Sequence, residues 1–237
     1  MANNPLHIGG LIFPNMDQMD FTGPFEVLSL IPNARFHVIG KDLTAVRDAR
    51  GLVLTPDTAL RDAPDLDVLL VPGGYGQEAL MDDEEVLDFL RTRAKTARYV
   101  LSVCTGALLC GAAGLLRGVR ATTHWNSFHL LPYFGAIPVD ERVVVDGRHI
   151  SAAGVSSGID GALRLAQLLG GDGLAQAIQL NMQYAPEPPF AGGTPHTSPP
   201  EIVQAAREKL RDISERRLAT AKKVAERLGI HSARATG

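Results

Sequence analysis

Apolar residues run almost unbroken through 6–13 (LHIGGLIF), 67–76 (DVLLVPGGYG) and 99–103 (YVLSV), each run stopped by Pro or Gly or by a change to helical spacing. Short continuous apolar runs of this kind are strands buried on both faces, as in a parallel sheet covered by helices. Between them the spacing becomes helical. Val86, Phe89 and Leu90 form the inward face of a helix over 82–96, and Pro24 suits the first turn of a helix over 24–30. A second strand is expected over 35–40, and a short hairpin or meander containing Gly51 over 41–58. The segment VRATTHW holds a short strand, and NSFHLLPYFG a short helix ending near Pro132. Strands over 137–145 and 149–153 flank an Asp146-Gly147 hairpin turn. Ser156 or Ser157 then caps a helix through Leu169, and another helix covers 172–184.

The Pro/Gly-rich segment PEPPFAGGTPHTSPP is a connector. After it, Val203, Ala206, Leu210, Ile213, Leu218, Ala221, Val224 and Leu228 keep a helical stripe over 201–228, which predicts a helix about 40 Å long. The alternation of strands and helices predicts an α/β sandwich with a mostly parallel central sheet. Residues 1–190 make up its body, and 191–237 add the connector and a long C-terminal helix to the same domain. That helix is longer than one small sheet face needs, so its stripe is expected to pack against a partner subunit and leave the active site unaffected.

The 99–114 segment, YVLSVCTGALLCGAAG, places Cys104 on the turn between a strand and a helix. Such an elbow presents a side chain at the carboxyl edge of the sheet, and the following amides and helix dipole favour a thiolate there. A small buried Cys packed beneath a helix is the alternative. Cys110, six residues on, faces another way and is read as core. Asp20 falls on the loop beyond the first strand, either as an acid or as a turn residue. Gly73 and Gly74 form a turn whose amides could make a small nest or simply supply positive φ, and Gly154 and Val155 lie at another strand end. All of these map to the edge where open α/β sheets collect ligands. His124 is more readily a structural His than a partner of the thiolate, and His129 and His149 have no ligand-like spacing with it, so no metal site is expected.

Composition narrows the classes. The 237 residues are 45% hydrophobic and 21% charged, and no apolar run reaches the ~20 residues of a membrane helix. The start lacks a signal-peptide pattern and two Cys give no disulfide framework, which together predict a cytoplasmic protein. The net charge is −3, and the last 37 residues carry nine Lys/Arg against five Asp/Glu, leaving −7 on the body. No broad basic face predicts nucleic-acid binding.

The segments FPNMDQMDFTGP, VPGG, SVCTGALLCGAAGLL, ATTHW, GAIPVDERVV, GVSSGID and QYAPEPPF, in this order and spacing, resemble the DJ-1/PfpI superfamily and, within it, the isocyanide hydratase group. The resemblance covers most of the chain. It implies a flavodoxin-like sandwich, a homodimer, a reactive Cys104 on a strained elbow, Asp20 as the acid beside it and Thr105 next to the nucleophile. Peptidase-like members carry His directly after the nucleophile, where this chain has Thr105, and glyoxalase-like members carry Glu where it has Asp20. Related transcription regulators append a helix-turn-helix domain, for which the nine residues after Leu228 are too few. The implied activity is cofactor-independent hydration of a small-molecule isocyanide through a covalent thioimidate on Cys104, with no metal. Gly73, Gly74, Gly154 and Val155 are the expected substrate contacts. A redox-sensing or protective protein, in which Cys104 is oxidised, is the alternative.

Overall fold

A computed structural model describes residues 5–230. The expectations of no signal peptide and no further domain rest partly on residues 1–4 and 231–237, which lie outside the described residues. The first half of the chain contains β1 (Leu6–Leu11), α1 (Gln18–Ser29), β2 (Ala34–Gly40), β3 (Val46–Arg47), β4 (Val53–Leu54), β5 (Thr58–Ala59), β6 (Val68–Val71), α2 (Gln77–Leu80), α3 (Glu84–Thr96), β7 (Tyr99–Val103) and α4 (Gly106–Ala112). The second half contains β8 (Arg120–Ala121), a 3₁₀ stretch (Trp125–Phe134), β9 (Ile137–Pro138), β10 (Val143–Asp146), β11 (His149–Ala152), α5 (Ser157–Asn181), α6 (Pro200–Lys209) and α7 (Arg211–Arg227).

Seven strands form the central sheet in the order β10-β11-β7-β6-β1-β2-β5. Every neighbouring pair is parallel except β10 with β11, which the Asp146-Gly147 turn joins as a hairpin. All four residues of β6 are fully buried, which is why the sequence there is uninterruptedly apolar. Burying each such side chain stabilises the fold by about 1.5–3 kcal/mol. Helices α1 and α5 pack together on one side of the sheet, while α4 lies on β6 and β7. From β1 the chain runs outward to β2 and β5, then returns to β6 on the other side of β1. The carboxyl ends of β1 and β6 therefore flank the point where the winding reverses, the place such sheets reserve for ligands.

The structure corrects several expected boundaries. Helix α1 begins at Gln18, capped by the Asp17 carboxyl accepting from the Met19 amide at 3.2 Å, so Asp20 lies in a helical first turn and not on a loop. Pro24 is inside this helix, where its ring packs toward Gly158 of α5. Neither Ser156 nor Ser157 caps α5 by its side chain, because the Ser157 hydroxyl bonds back to Gly154. The expected 137–145 strand is divided into β9, which pairs with β8, and β10. The two helices expected around residue 170 are continuous except for a kink at Gly171 (φ 84°).

The stripe over 201–228 is likewise divided, at Leu210 (φ −98°, ψ 5°), and α7 is the long C-terminal helix of 17 residues. At ~1.5 Å per residue it spans roughly 26 Å, short enough for its own subunit to cover. Ile213, Ala221, Val224 and Ala225 are buried within this chain, and α7 packs on the 3₁₀ stretch and α2. The α7 half of the stripe is thus covered within the chain, whereas α6 buries none of its residues and Val203, Ala206 and Leu210 stay part-exposed.

Candidate active site

Cys104 adopts φ 56° between β7 and α4, a left-handed conformation that costs a non-glycine residue about 1–2 kcal/mol. Two hydrogen bonds hold it there: its amide donates to the Ala152 carbonyl at 2.9 Å, and its carbonyl accepts from the Thr123 hydroxyl at 2.7 Å. The turn is also crowded. A Cβ on Gly106 would fall 2.0 Å from the Val71 carbonyl oxygen, so only glycine lets the elbow pass this close to β6.

The Asp20 carboxyl, fully buried on α1, lies beside the Cys104 thiol. Its Oδ2 accepts from the Gly73 amide at 3.0 Å, while Oδ1 has no protein hydrogen-bond partner. Burial, and then the charge of Asp17, push its pKa up to about 7. The Gly73 amide, the neighbouring Cys104 thiol and Arg50 act in the opposite direction. Burial also pushes the Cys104 thiol well above its usual range, reinforced by the Asp20 charge and opposed by the Thr105 amide and Arg217. Desolvation thus outweighs the Thr105 amide and Arg217. Near neutral pH the Cys104 sulfur keeps its proton, while Asp20 titrates and in its ionised form is the group beside the thiol able to take that proton.

Thr105 is buried beside them. Its Oγ1 accepts from the Gly74 amide at 3.1 Å and lies 3.4 Å from the Gly74 carbonyl. It braces the glycine turn and has no bond to Asp20. Gly73 offers its amide to Asp20, whereas Gly74 and Val155 line a cavity of about 150 Å³ that opens on Cys104. Gly154 is tied to Ser157 and is not among the lining residues. His124 does line the cavity, but Nδ1 accepts from the Asn126 amide at 3.4 Å, and burial, then Arg217, press its pKa to about 4. It is neutral at physiological pH. A larger groove of about 550 Å³ beside Trp125 contains neither Cys104 nor Asp20. Among the described residues no cluster of three or more His, Cys, Asp or Glu could hold a metal ion, and no helix is long and apolar enough to cross a membrane.

The sequence reading missed Arg217, which enters the cavity from α7. Its signal was present: Ile213, Arg217 and Ala221 share one helix face at i, i+4 spacing, so an arginine stands within the apolar stripe. Tyr75, Arg50 and Leu210 also border the cavity.

This arrangement has relatives. The chain is 52% identical over 204 residues to the isonitrile hydratase of Pseudomonas putida, covering 86% of this chain and 90% of that protein. It is 28% identical over 183 residues to the HTH-type transcriptional regulator GbdR of Pseudomonas aeruginosa, covering 74% of this chain and 50% of the regulator. The crystal structure of a THiJ/PfpI family protein from Pseudomonas syringae superimposes with a TM-score of 0.90 at 37% identity, covering 92% of this chain and 91% of that one. The DJ-1/PfpI family profile matches residues 8–168, from β1 into the first half of α5 and across both Asp20 and Cys104. The chain therefore belongs to the DJ-1/PfpI family.

Proposed function

We propose that this protein is an isocyanide hydratase, converting R–N≡C and water to an N-substituted formamide. The observation that carries this reading is the desolvated Cys104–Asp20 pair, found on a chain 52% identical to an isonitrile hydratase. The terminal carbon of an isocyanide is both electrophilic toward sulfur and able to accept a proton. One nucleophile and one proton carrier therefore suffice.

As the Cys104 sulfur bonds to that carbon, its proton passes to the Asp20 carboxylate, and Asp20 delivers it to the same carbon. The product is a thioimidate, R–N=CH–S–Cys104, and Asp20 is again a carboxylate. Asp20 then takes a proton from water as the water oxygen adds to the carbon, and passes it to the imidate nitrogen, giving R–NH–CH(OH)–S–Cys104 with Asp20 again a carboxylate. Collapse of this adduct to R–NH–CHO breaks the C–S bond, and the hydroxyl proton passes by way of Asp20 to the departing sulfur, which restores the Cys104 thiol. Thr105 and the Gly73–Gly74 turn keep Asp20 in position, while Gly74 and Val155 contact the substrate. Gly154 acts through its tie to Ser157. We further propose a homodimer that works in the cytoplasm.

The redox-sensing alternative is the less favoured reading. Thiol oxidation follows thiolate character and exposure, and Cys104 is only 6% exposed with its thiol form favoured. The test is steady-state formamide production from a panel of aliphatic and aromatic isocyanides, run beside methylglyoxal and a peptide. Turnover confined to isocyanides supports the reading, and turnover of methylglyoxal alone overturns it.

A further inference from the structure

Arg217 is 5% exposed, and among the described residues no carboxylate lies within ion-pair distance of its guanidinium. Its Nη2 donates to the Gly74 carbonyl at 2.7 Å and lies 3.4 Å from the Thr105 hydroxyl, while Nε has no partner. A buried cation without a counter-ion costs several kcal/mol, so a fold that retains one beside a nucleophile calls for an explanation.

We propose that Arg217, carried into the Cys104 cavity by α7, is a positioning residue for the nucleophile. Its guanidinium is the counter-ion of the thiolate that forms when Cys104 gives up its proton, and its Nη2 fixes the glycine turn that orients Asp20. The proposal rests on Cys104 being the nucleophile, and not on which substrate it attacks.

The charges around Cys104 leave this position to Arg217. Helix α1 contributes two carboxylates, Asp20 and Asp17, and both raise the thiol pKa. Arg50, from the hairpin loop, is 70% exposed along its side chain and already paired with Asp17 at 3.0 Å. His124 is neutral, and Tyr75, after β6, is a half-exposed phenol. Arg217 is the remaining lining cation: burial lowers its pKa, Cys104, Tyr75 and Glu78 act to raise it and Arg216 to lower it, and in return Arg217 lowers the pKa of the thiol. The hydrogen bonds give the same residue a geometric task. Arg217 holds the carbonyl of Gly74, Thr105 holds its amide, and the preceding amide, of Gly73, holds Asp20. The C-terminal helix is thereby part of the active site.

The test is the pH dependence of Cys104 alkylation by iodoacetamide, read by peptide mass, in the parent and in Arg217→Met, Arg217→Lys and Arg216→Gln. Arg216 is exposed on the same helix and controls for net charge. Arg217→Met should raise the alkylation midpoint by at least about one pH unit and slow labelling about tenfold at fixed neutral pH, because the thiolate is the reactive form. Arg217→Lys should recover most of that shift, and Arg216→Gln should match the parent. In turnover, Arg217→Met should lower kcat with KM little changed. A folded Arg217→Met with the parental alkylation profile overturns the proposal. If Arg217→Met does not fold, Arg217→Lys decides: a midpoint within about one unit of the parent supports the electrostatic role, and a larger shift overturns it. Because alkylation requires no isocyanide, a failed hydratase assay and a failed Arg217 assignment give different results.

Discussion

The Asp20 carboxylate disfavours the Cys104 thiolate, whereas the Cys104 thiol stabilises the Asp20 carboxylate, so the sulfur keeps its proton at rest and the pair is ready to react once Asp20 ionises. Chemistry starts when substrate makes transfer of that proton to Asp20 worthwhile. The base is thus a carboxylate tuned by burial to the pH at which it works.

From this follows a pH dependence. Asp20 must be ionised to accept the thiol proton, and its pKa is about 7. In the free enzyme, kcat/KM should rise about tenfold per unit below that value and level off above it. Asp20→Asn should fold and lose at least about 100-fold in kcat, because an amide neither accepts nor donates the proton. Stopped-flow or absorbance rates across pH 5–9 check both, and parental turnover in Asp20→Asn would remove Asp20 from the chemistry.

The same shift has a stability consequence of determined sign. A carboxyl whose pKa rises from 3.8 to about 7 on folding binds its proton more tightly in the folded state. Its stabilisation is fully present below pH 3.8 and is lost as pH rises through 7, a loss on the order of 4 kcal/mol. Asp20→Asn carries no such charge, so its stability relative to the parent should improve between pH 5 and pH 8. Urea denaturation at the two pH values measures the difference, and a constant offset would contradict the assigned shift.

Cys104 and Cys110 separate function from packing. Cys110 is fully buried within α4, away from the cavity, and burial raises its pKa to about 12. Cys110→Ser should cost about 1–3 kcal/mol by burying a hydroxyl in place of a thiol, with kcat nearly unchanged. Cys104→Ala should stay folded and lose turnover completely. Equal losses in both variants would mean that the elbow does not define the nucleophile.

The catalytic elements differed in how far they could be read from the chain. The strand ends carrying Cys104 and the Gly73–Gly74 turn were legible because buried strands leave continuous apolar runs that stop at turn residues. Asp20 was legible as a residue but not in its place, since Pro24 reads as a helix start whereas the helix begins six residues earlier, at Gln18, with Pro24 inside it and facing Gly158 of α5. The brace from Thr105 to Gly74 joins residues 31 apart and exists only because β6 and β7 are neighbours. The break at Leu210 has no local signal, because the residues around it favour helix and the cavity that Leu210 borders is a tertiary feature. Arg217 was overlooked because the stripe was read by its apolar members.

His124 tests the identity of the base. It lines the same cavity as Cys104, and a cysteine with a nearby histidine invites an ion-pair mechanism. Its ring is used otherwise: Nδ1 accepts from the Asn126 amide at the start of the 3₁₀ stretch, and burial with Arg217 presses its pKa to about 4. A neutral imidazole at pH 7 neither titrates in the working range nor stabilises a thiolate by charge. His124→Asn keeps an acceptor at the cap and should retain kcat within about fivefold, with the limb near pH 7 in place. Stability should respond at lower pH. The histidine pKa falls from 6.5 to about 4 on folding, so the parent loses up to about 3 kcal/mol as pH drops through that window, and His124→Asn should lose less. Loss of the limb near pH 7 in His124→Asn would transfer the role of base from Asp20 to His124.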